Sequence, residues 1–309
     1  MLILRRILLA FSLLLLSAGA ASGYAATPAK VATSIKPIAL LVAAIAPADT
    51  QIEILVPPGG SPHTYQLRPS QRQMLEGADV IFWVGPDMET FLVRLFAMPG
   101  LRDKAVTLAP TDAQTDGDEH QDTGHHDHDH HHHAGEDPHI WLDPGMARVM
   151  ARKIHGALSA RPDADQALLD ANLRAFEQAL GHQEAQLLQT LAPAKSLSLF
   201  SYHDAFRGFA EHYGLHMAGV LTLNPERSPG ARHIAQTQQR LRAAERVCLM
   251  IEPQFSRQWW TSITEGLDLK ISTWDPLATE APMDRSGYLE FQQSLADAVL
   301  QCLPEPAQH

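Results

Sequence analysis

The sequence predicts an α/β protein of two lobes, each with a central parallel sheet flanked by helices, and a single long rigid helix that joins them. Short β-rich segments alternate with helical patterns in the first half of the chain, and the same alternation returns in the second half. A long helical pattern separates the halves. Because alternating strands and helices form parallel sheets, we expect an N-terminal lobe over 27–160, a connecting helix over 161–193 and a C-terminal lobe over 194–309.

The first 26 residues have the layout of a secretory signal peptide. Arg5 and Arg6 precede an apolar segment over 7–16, and small residues follow. This apolar core is shorter than the roughly 20 residues that a membrane span requires. We expect cleavage after Ala20 or nearer Ala26. Because no cysteine near this region could accept a lipid, the mature chain is expected to be a freely diffusing periplasmic protein.

The strands of both lobes are predicted by short runs of β-branched and aromatic residues. In the N-terminal lobe these runs cover 31–35, 52–56, 80–83 and 106–108. In the C-terminal lobe they cover 196–200, 217–221, 247–251 and 269–272. The segments between them carry helical patterns, so each lobe is expected to hold four strands.

The segment 165–191 contains no proline, and its leucines recur at helical spacing. Pro162 provides a start signal and Pro193 a stop signal. The segment therefore predicts one long helix. The alternative is two shorter helices broken at Gly181, since glycine weakens a helix by about 1 kcal/mol relative to alanine.

The net charge of −11 comes largely from one low-complexity segment, 112–137, which holds nine carboxylates and no Lys or Arg. The other 26 of the 35 acidic residues nearly balance the 24 basic ones, so no nucleic-acid partner is expected. The segment is too polar to fold alone and is expected to be a disordered loop. Its eight histidines are His120, His125, His126, His128, His130, His131, His132 and His133. Imidazole and carboxylate suit divalent metals, which favours an accessory metal-binding loop over a merely solvated one.

Two cysteines occur in the chain, Cys248 and Cys302. An even pair in an exported protein predicts one disulfide, whereas two buried free thiols fit an oxidising compartment less well. The closed loop would stabilise the protein by roughly 4 kcal/mol in the chain-entropy model. The pair is therefore expected to tie the C-terminal segment to its lobe.

Four residues are candidate metal ligands, and the predicted strands place three of them. His63, His203 and Asp275 each follow a strand, and open α/β sheets bind their ligands at the carboxyl ends of the strands. His139 lies just before a predicted helix. Three imidazoles and one carboxylate fill a tetrahedral zinc shell. Because zinc binds neutral imidazole, protons should compete with it near and below the ordinary histidine pKa of about 6.5.

Several ordered motifs resemble those of the cluster A-I metal-binding proteins of ABC transporters, in particular the ZnuA-type zinc subfamily. The first is 56–70 (VPPGGSPHTYQLRPS), the second 137–142 (DPHIWL) and the third 202–206 (YHDAF). Further matches are 224–226 (NPE) with 229–230 (PG), 251–255 (IEPQF) and 274–277 (WDPL). The resemblance runs from about residue 31 to the C-terminus.

This resemblance implies a zinc-binding subunit of an importer and not an enzyme. Zn²⁺ would be held between the lobes by His63, His139 and His203, and then delivered to a membrane permease driven by a cytoplasmic ATPase. The third ligand is an imidazole where manganese-selective relatives tend to carry a carboxylate, so zinc is expected over manganese. The chain is expected to act as a monomer. The histidine-rich loop and the cysteine pair are also similar to features of the zinc group.

The fourth ligand is the main open point. Some zinc members carry Glu directly before the first ligand, where this chain has Pro62. We therefore expect Asp275 to bind the metal; the alternative is a water as fourth ligand, with Asp275 nearby as a supporting or turn-capping carboxylate. His212 and His216 are expected to be structural, because Gly214 separates them and no metalloprotease signature surrounds them.

Other functions are also compatible with parts of the sequence. A manganese-binding relative would share the fold. A zinc-dependent hydrolase would need a general base, for which Glu226 or Glu252 could serve, although no signature supports either. A periplasmic zinc buffer or a surface adhesin would bind metal without transport.

Overall fold

The structure is a computed structural model that describes residues 28–110, 137–222, 230–255 and 257–304. The predicted signal peptide, residues 112–136 of the histidine-rich loop and the motif at 224–226 lie outside these residues. Within them, the chain forms two four-stranded sheets, in which every pair of neighbouring strands is parallel. The predicted two-lobe α/β class is confirmed.

The first sheet has the strand order β2-β1-β3-β4. Its strands are β1 (Lys30–Thr33), β2 (Gln51–Ile54), β3 (Val80–Trp83) and β4 (Ala105–Thr107). Helices α1 (Lys36–Ile45), α2 (Pro69–Gly77) and α3 (Val93–Phe96) connect them. Strand β3 is buried along its whole length, as expected for a strand inside a parallel sheet covered on both faces.

The second sheet repeats this order as β6-β5-β7-β8. Its strands are β5 (Ser198–Ser201), β6 (Met217–Val220), β7 (Val247–Ile251) and β8 (Lys270–Thr273). The helices between them are α6 (Arg207–Tyr213), α7 (Ala231–Ala243) and α8 (Arg257–Thr264). In both sheets the strand order reverses direction at the first strand of the lobe, so the switch point lies between β1 and β3 and between β5 and β7. Such a switch point opens a crevice for ligands at the carboxyl edge.

Two helices lie between the sheets in sequence. The first is α4 (Pro144–Ser159), and the second is α5 (Gln166–Thr190), which continues through Gly181 without a break. The carboxylate of Asp165 caps α5 by accepting a hydrogen bond from the backbone N–H of Leu168 at 3.0 Å. One long helix therefore occupies the predicted segment. Its role as a rigid connector stays a prediction.

The C-terminal helix α9 (Gly287–Leu300) packs against both halves of the molecule. It contacts β7 and β8 of the second sheet, and also α1 and α5. Glycine is required at position 287, because a Cβ there would clash with the carbonyl oxygen of Pro282 and would lie 2.8 Å from a methyl group of Leu40 on α1. The segment predicted to belong to the C-terminal lobe alone thus also covers the N-terminal lobe.

One hydrophobic core runs through both lobes. The same buried cluster contains Val31 and Phe82 of the first sheet and Leu199 and Met250 of the second. Each sheet also has one smaller buried cluster on its other face. Because the central cluster is continuous, the two sheets are packed together as one body and do not meet only through the metal site.

Cys248 of β7 and Cys302, just after α9, form a disulfide with a Cα–Cα distance of 5.6 Å. The predicted pairing is confirmed, and both residues are buried. Among the described residues, no helix combines the length and the apolar character that crossing a membrane requires.

Candidate metal site

His63 is brought to the site by a rigid, proline-rich turn after β2. The strand pairing continues past β2, because the N–H groups of Leu55 and Val56 donate to the carbonyls of Thr33 and Ser34. Gly59 then adopts a positive φ of 78°, a conformation that favours glycine. The turn directs the chain across the carboxyl edge of the first sheet, where His63 is half-buried.

His139 lies two residues before the buried Trp141, which anchors this segment in the core. The indole Nε1 donates to the carbonyl of Pro276 at 2.7 Å. Helix α4 begins directly afterwards, and the Asp143 carboxylate caps it by accepting from the N–H groups of Gly145 at 2.6 Å and Met146 at 3.3 Å. The backbone of His139 is therefore held between a core anchor and a capped helix.

His203 lies two residues after β5, at the carboxyl edge of the second sheet. Its carbonyl accepts hydrogen bonds from the Ser201 hydroxyl at 2.6 Å and from the N–H of Ala205 at 2.9 Å. Only 6% of its surface is exposed. The imidazole is thus fixed from the strand, as the rule for parallel sheets predicts.

The three imidazoles converge on one point. The Nε2 atom of His139 lies 3.3 Å from Nε2 of His63 and 3.3 Å from Nε2 of His203. In a tetrahedral shell with zinc–nitrogen bonds of ~2.0–2.1 Å, neighbouring nitrogens are about 3.3–3.4 Å apart. These three residues are the one group of three potential metal ligands found within the part of the chain that the structure describes. The spacing fits a first-row divalent ion.

Two carboxylates orient the buried imidazoles from behind. Asp137 Oδ1 lies 2.7 Å from Nδ1 of His139, and Glu252 Oε1 lies 2.7 Å from Nδ1 of His203. A carboxylate at Nδ1 keeps the proton on that nitrogen, so the lone pair of Nε2 is free for a metal. Glu252 directly follows β7, the neighbour of β5 in the sheet. Both carboxylates therefore prepare the site for a cation.

The electrostatics of the site keep His63 neutral. Burial, together with repulsion from His139 and His203, lowers the pKa of His63 from 6.5 to about 4, and the carboxylate of Asp137 opposes this shift only partly. A neutral imidazole is the form that binds metal. His63 is therefore ready to bind at neutral and mildly acidic pH.

The carboxylate of Asp275 does not belong to the group of three imidazoles. Its Oδ1 accepts hydrogen bonds from Gln254 Nε2 at 2.6 Å and from the N–H of Leu277 at 3.0 Å. Its Oδ2 accepts from the N–H of Thr279 at 2.7 Å. These bonds are those of a turn-capping carboxylate, which is the alternative that the sequence left open. Direct binding of metal by Asp275 is not favoured by this arrangement.

Among the other histidines singled out in the sequence, His212 takes part in an ion-pair network away from the three imidazoles. Its Nδ1 lies 3.3 Å from Asp143, and its Nε2 lies 3.0 Å from Glu184. The eight histidines of the acidic loop, 120–133, lie outside the described residues.

The sequence did not assign Asp137, Glu252 or Gln254 to the metal site. It named Glu252 only as a possible general base of a hydrolase. Glu252 and Gln254 follow β7, but only the sheet order places this strand next to β5 and His203. Asp137 lies two residues before His139, and its carboxylate also accepts from the backbone N–H of His139 at 3.0 Å. This local bond is a signal that the short Asp-Pro-His spacing could have provided.

Comparisons with known proteins identify relatives of this chain. The high-affinity zinc uptake system protein ZnuA of Yersinia pestis is 35% identical over 97% of this chain and 98% of its own length. The protein of the same name from Haemophilus ducreyi is 32% identical over 90% of this chain and 94% of its own length. A crystal structure of ZnuA has a TM-score of 0.70 at 22% identity, covering 88% of this chain and 100% of that one, which supports the fold. The family model described as "ZnuA: Zinc-uptake complex component A periplasmic" matches residues 31–302, and this chain belongs to that family.

Proposed function

We propose that this protein captures Zn²⁺ in the periplasm through His63, His139 and His203, and passes it to an ABC importer. The observation that carries the proposal is the convergence of three Nε2 atoms, with two separations of 3.3 Å. This spacing matches a tetrahedral zinc shell in which three of the four ligands are supplied by the imidazoles. The relatives named as zinc uptake proteins support the same cargo.

Zinc is favoured over manganese by the chemistry of the donors. Manganese prefers oxygen ligands, whereas imidazole suits zinc, copper and nickel. The group of converging ligands contains imidazoles only, and the nearby carboxylates of Asp137 and Glu252 are occupied by the Nδ1 atoms of His139 and His203. The pocket therefore offers nitrogen where a manganese site would offer oxygen.

Delivery of the metal requires one partner in the membrane and another on its cytoplasmic side. We infer a permease that receives the ion and a cytoplasmic ATPase that drives its transport, as expected for the family. The residues 1–26 are proposed to direct export and to be removed. The acidic, histidine-rich segment 112–137 is proposed as an accessory loop that collects zinc weakly, on the basis of its density of imidazole and carboxylate groups.

The direct test is calorimetric titration of the mature protein with Zn²⁺. We expect one tight site, which His63→Ala weakens by more than the 10–100-fold that loss of an outer partner typically costs. The matched control is His182→Ala, because His182 is an exposed histidine on α5, and this variant should bind as the wild type does. Deletion of 112–136 should keep the tight site and remove only weak binding.

The transport role is tested in cells. A strain lacking this gene should grow poorly in zinc-depleted medium and recover with the wild-type protein or with His182→Ala, but not with His63→Ala. Recovery with His63→Ala would contradict the proposed site. The proposed site would also be contradicted if deletion of 112–136 abolished tight zinc binding and His63→Ala left it unchanged.

A further inference from the structure

The pocket that holds the three imidazoles contains two polar side chains that neither bind nor orient a histidine, Ser61 and Gln254. Apart from the histidines and Glu252, its other lining residues are Pro62, Trp141, Phe255, Pro276 and Leu277. Three imidazoles leave one position of a tetrahedral shell to be filled. The chemistry of the fourth ligand therefore depends on what these polar groups can offer.

The orientation of the Gln254 amide is fixed by its partner. The carboxylate of Asp275 can only accept hydrogen bonds, so the amide group that lies 2.6 Å from it is the NH₂ group of Gln254. The other end of the amide, Oε1, is buried and has no hydrogen-bond partner among the described residues. The hydroxyl oxygen of Ser61 is also buried without a partner among them.

Buried acceptors of native proteins nearly always receive a hydrogen bond. The strongest donor that this pocket can acquire is a water bound to the captured metal, because the metal makes the O–H bonds of that water more acidic. Such a water would occupy the open tetrahedral position and donate to an acceptor on the pocket wall. Gln254 Oε1 is an acceptor of this kind.

We propose that zinc in this pocket takes a water as its fourth ligand, and that Gln254, held in orientation by Asp275, accepts a hydrogen bond from this water. The inference rests on the proposed zinc site. It makes Asp275 a positioning residue that acts through Gln254. The carboxylate of Asp275 is already held by hydrogen bonds from Gln254 and from the N–H groups of Leu277 and Thr279.

Cobalt(II) is a suitable probe, because its visible absorption reports the ligands around the ion. We expect the cobalt form of the wild-type protein to change its spectrum when thiocyanate is added, since a small anion can displace a bound water. A fourth position filled by a protein carboxylate would not respond in this way. An unchanged wild-type spectrum would overturn the proposal.

The role of Gln254 is tested with Gln254→Met, which keeps the length of the side chain and removes both polar atoms. Zinc should bind about tenfold more weakly, the loss expected when a metal-bound water loses one hydrogen bond to the protein. The matched control is Gln183→Met. Gln183 also has a buried Oε1 without a partner among the described residues and an NH₂ group bonded to a backbone carbonyl, that of Leu289 on α9. Equal zinc affinity of Gln254→Met and the wild type would overturn the role of Gln254.

The role of Asp275 is separated from direct ligation by a double-variant cycle. If Asp275 acts through Gln254, then Asp275→Asn should weaken binding no further once Gln254→Met is present. Additive losses, with a cobalt spectrum altered by Asp275→Asn alone, would identify Asp275 as a ligand and overturn the proposal. Failure of the zinc site itself would look different, because His63→Ala would then bind as tightly as the wild type.

Discussion

At the scale of single residues, the lowered pKa of His63 has a measurable consequence for proton release. Zinc displaces a proton only from an imidazole that carries one. With a pKa of about 4, His63 is already neutral at pH 5.5. At this pH we expect at most about two protons to be released per zinc, against nearly three if every ligand had the ordinary pKa of 6.5. Calorimetry in buffers of different ionisation enthalpy measures this number.

The same shift has a defined sign for stability. In the unfolded chain His63 has the ordinary pKa, so it gains a proton below about pH 6.5, while the folded protein keeps it neutral down to about pH 4. The unfolded state therefore binds more protons in this window, and the metal-free protein loses stability as the pH falls through it.

Both predictions depend on a neutral His63 in the free protein. Release of three protons per zinc at pH 5.5 would show that His63 is charged in the free protein.

The buried carboxylate of Glu252 is predicted to raise zinc affinity without touching the metal. Glu252→Gln keeps an acceptor for Nδ1 of His203 but removes the negative charge behind the imidazole. We expect zinc affinity to fall roughly 10–100-fold, as is typical for outer partners of metal ligands. Competition titration against a chelator measures the change.

A control for Glu252→Gln is available in a carboxylate–histidine pair between α4 and α5. Asp170 lies 2.8 Å from Nε2 of His155, so Asp170→Asn alters a carboxylate–histidine pair of the same kind that is not part of the metal site. It should leave zinc affinity unchanged. A similar loss in both variants would indicate a general effect on stability and would contradict the specific role of Glu252.

The sequence alone identified the imidazoles but not their supports. His63 and His203 follow predicted strands, His139 lies just before a predicted helix, and the resemblance of motifs supported all three. Glu252 could not be paired with His203 from the sequence, because their separation of 49 residues is closed only by the pairing of β5 with β7. Asp275 was predicted as a ligand from its position after β8, a rule that gives the edge of the sheet but not the direction of the side chain.

At the scale of elements, the strands were predictable because their apolar runs are short and bounded by turn residues. The predicted run 80–83 coincides with β3. The run 196–200 began too early, since a 3-10 turn, Ala192–Ser196, ends just before β5. The double packing of α9 was not predictable, because a helical period shows an apolar face but not which lobe will cover it.

His212 joins three helices and is predicted to make stability depend on pH. It lies on α6 and contacts Asp143, which caps α4, and Glu184 on α5. Only a charged imidazole donates from both nitrogens, and its hydrogen bond to Asp143 contributes most to raising the pKa of His212. The network therefore stabilises the protein fully below the unfolded pKa of about 6.5, and this contribution is lost as the pH rises through the higher folded pKa.

The measurement for this prediction is urea unfolding of the wild type and His212→Gln at pH 6 and pH 9. We expect the wild type to exceed the variant by up to about 1 kcal/mol more at pH 6 than at pH 9, the range of partly exposed ion pairs. His182→Gln, which alters an exposed histidine of α5, should show no such difference. A constant gap at both pH values would mean that packing, not charge, is what His212 contributes.

At the scale of the whole molecule, the disulfide secures the helix that covers both lobes. Cys248 and Cys302 are separated by 54 residues. Removing the bond in Cys248→Ser/Cys302→Ser should lower the free energy of unfolding by about 2–4 kcal/mol. Urea unfolding measures this loss, and reduction of the wild type should reproduce it. Cys248 lies near the amino end of β7, whereas Glu252 follows the carboxyl end of this strand. Tight zinc binding should therefore persist in the folded variant.

The continuous core predicts that the two lobes move little when zinc binds. Besides the shared buried cluster, several hydrogen bonds connect the N-terminal half to the segment after β8. Trp141 Nε1 donates to the carbonyl of Pro276 at 2.7 Å, and Lys36 Nζ donates to that of Thr279 at 2.6 Å. The hydroxyl of Tyr288 donates to the carbonyl of Trp141 at 2.8 Å. Wide opening would break these bonds and expose the core.

Spin labels at Gln73 on α2 and Gln236 on α7, both exposed, would report the distance between the lobes by double electron–electron resonance. We expect the mean distance to differ by less than about 2 Å between the metal-free and zinc-bound protein, as in preorganised binding sites. Trp141→Phe removes the hydrogen bond to Pro276. It should broaden the distance distribution of the metal-free protein more than that of the zinc-bound protein, because zinc bound by the three imidazoles still holds the two lobes together. A shift of several ångströms in the wild type would instead identify hinged lobes, and the shared core would have to separate during capture.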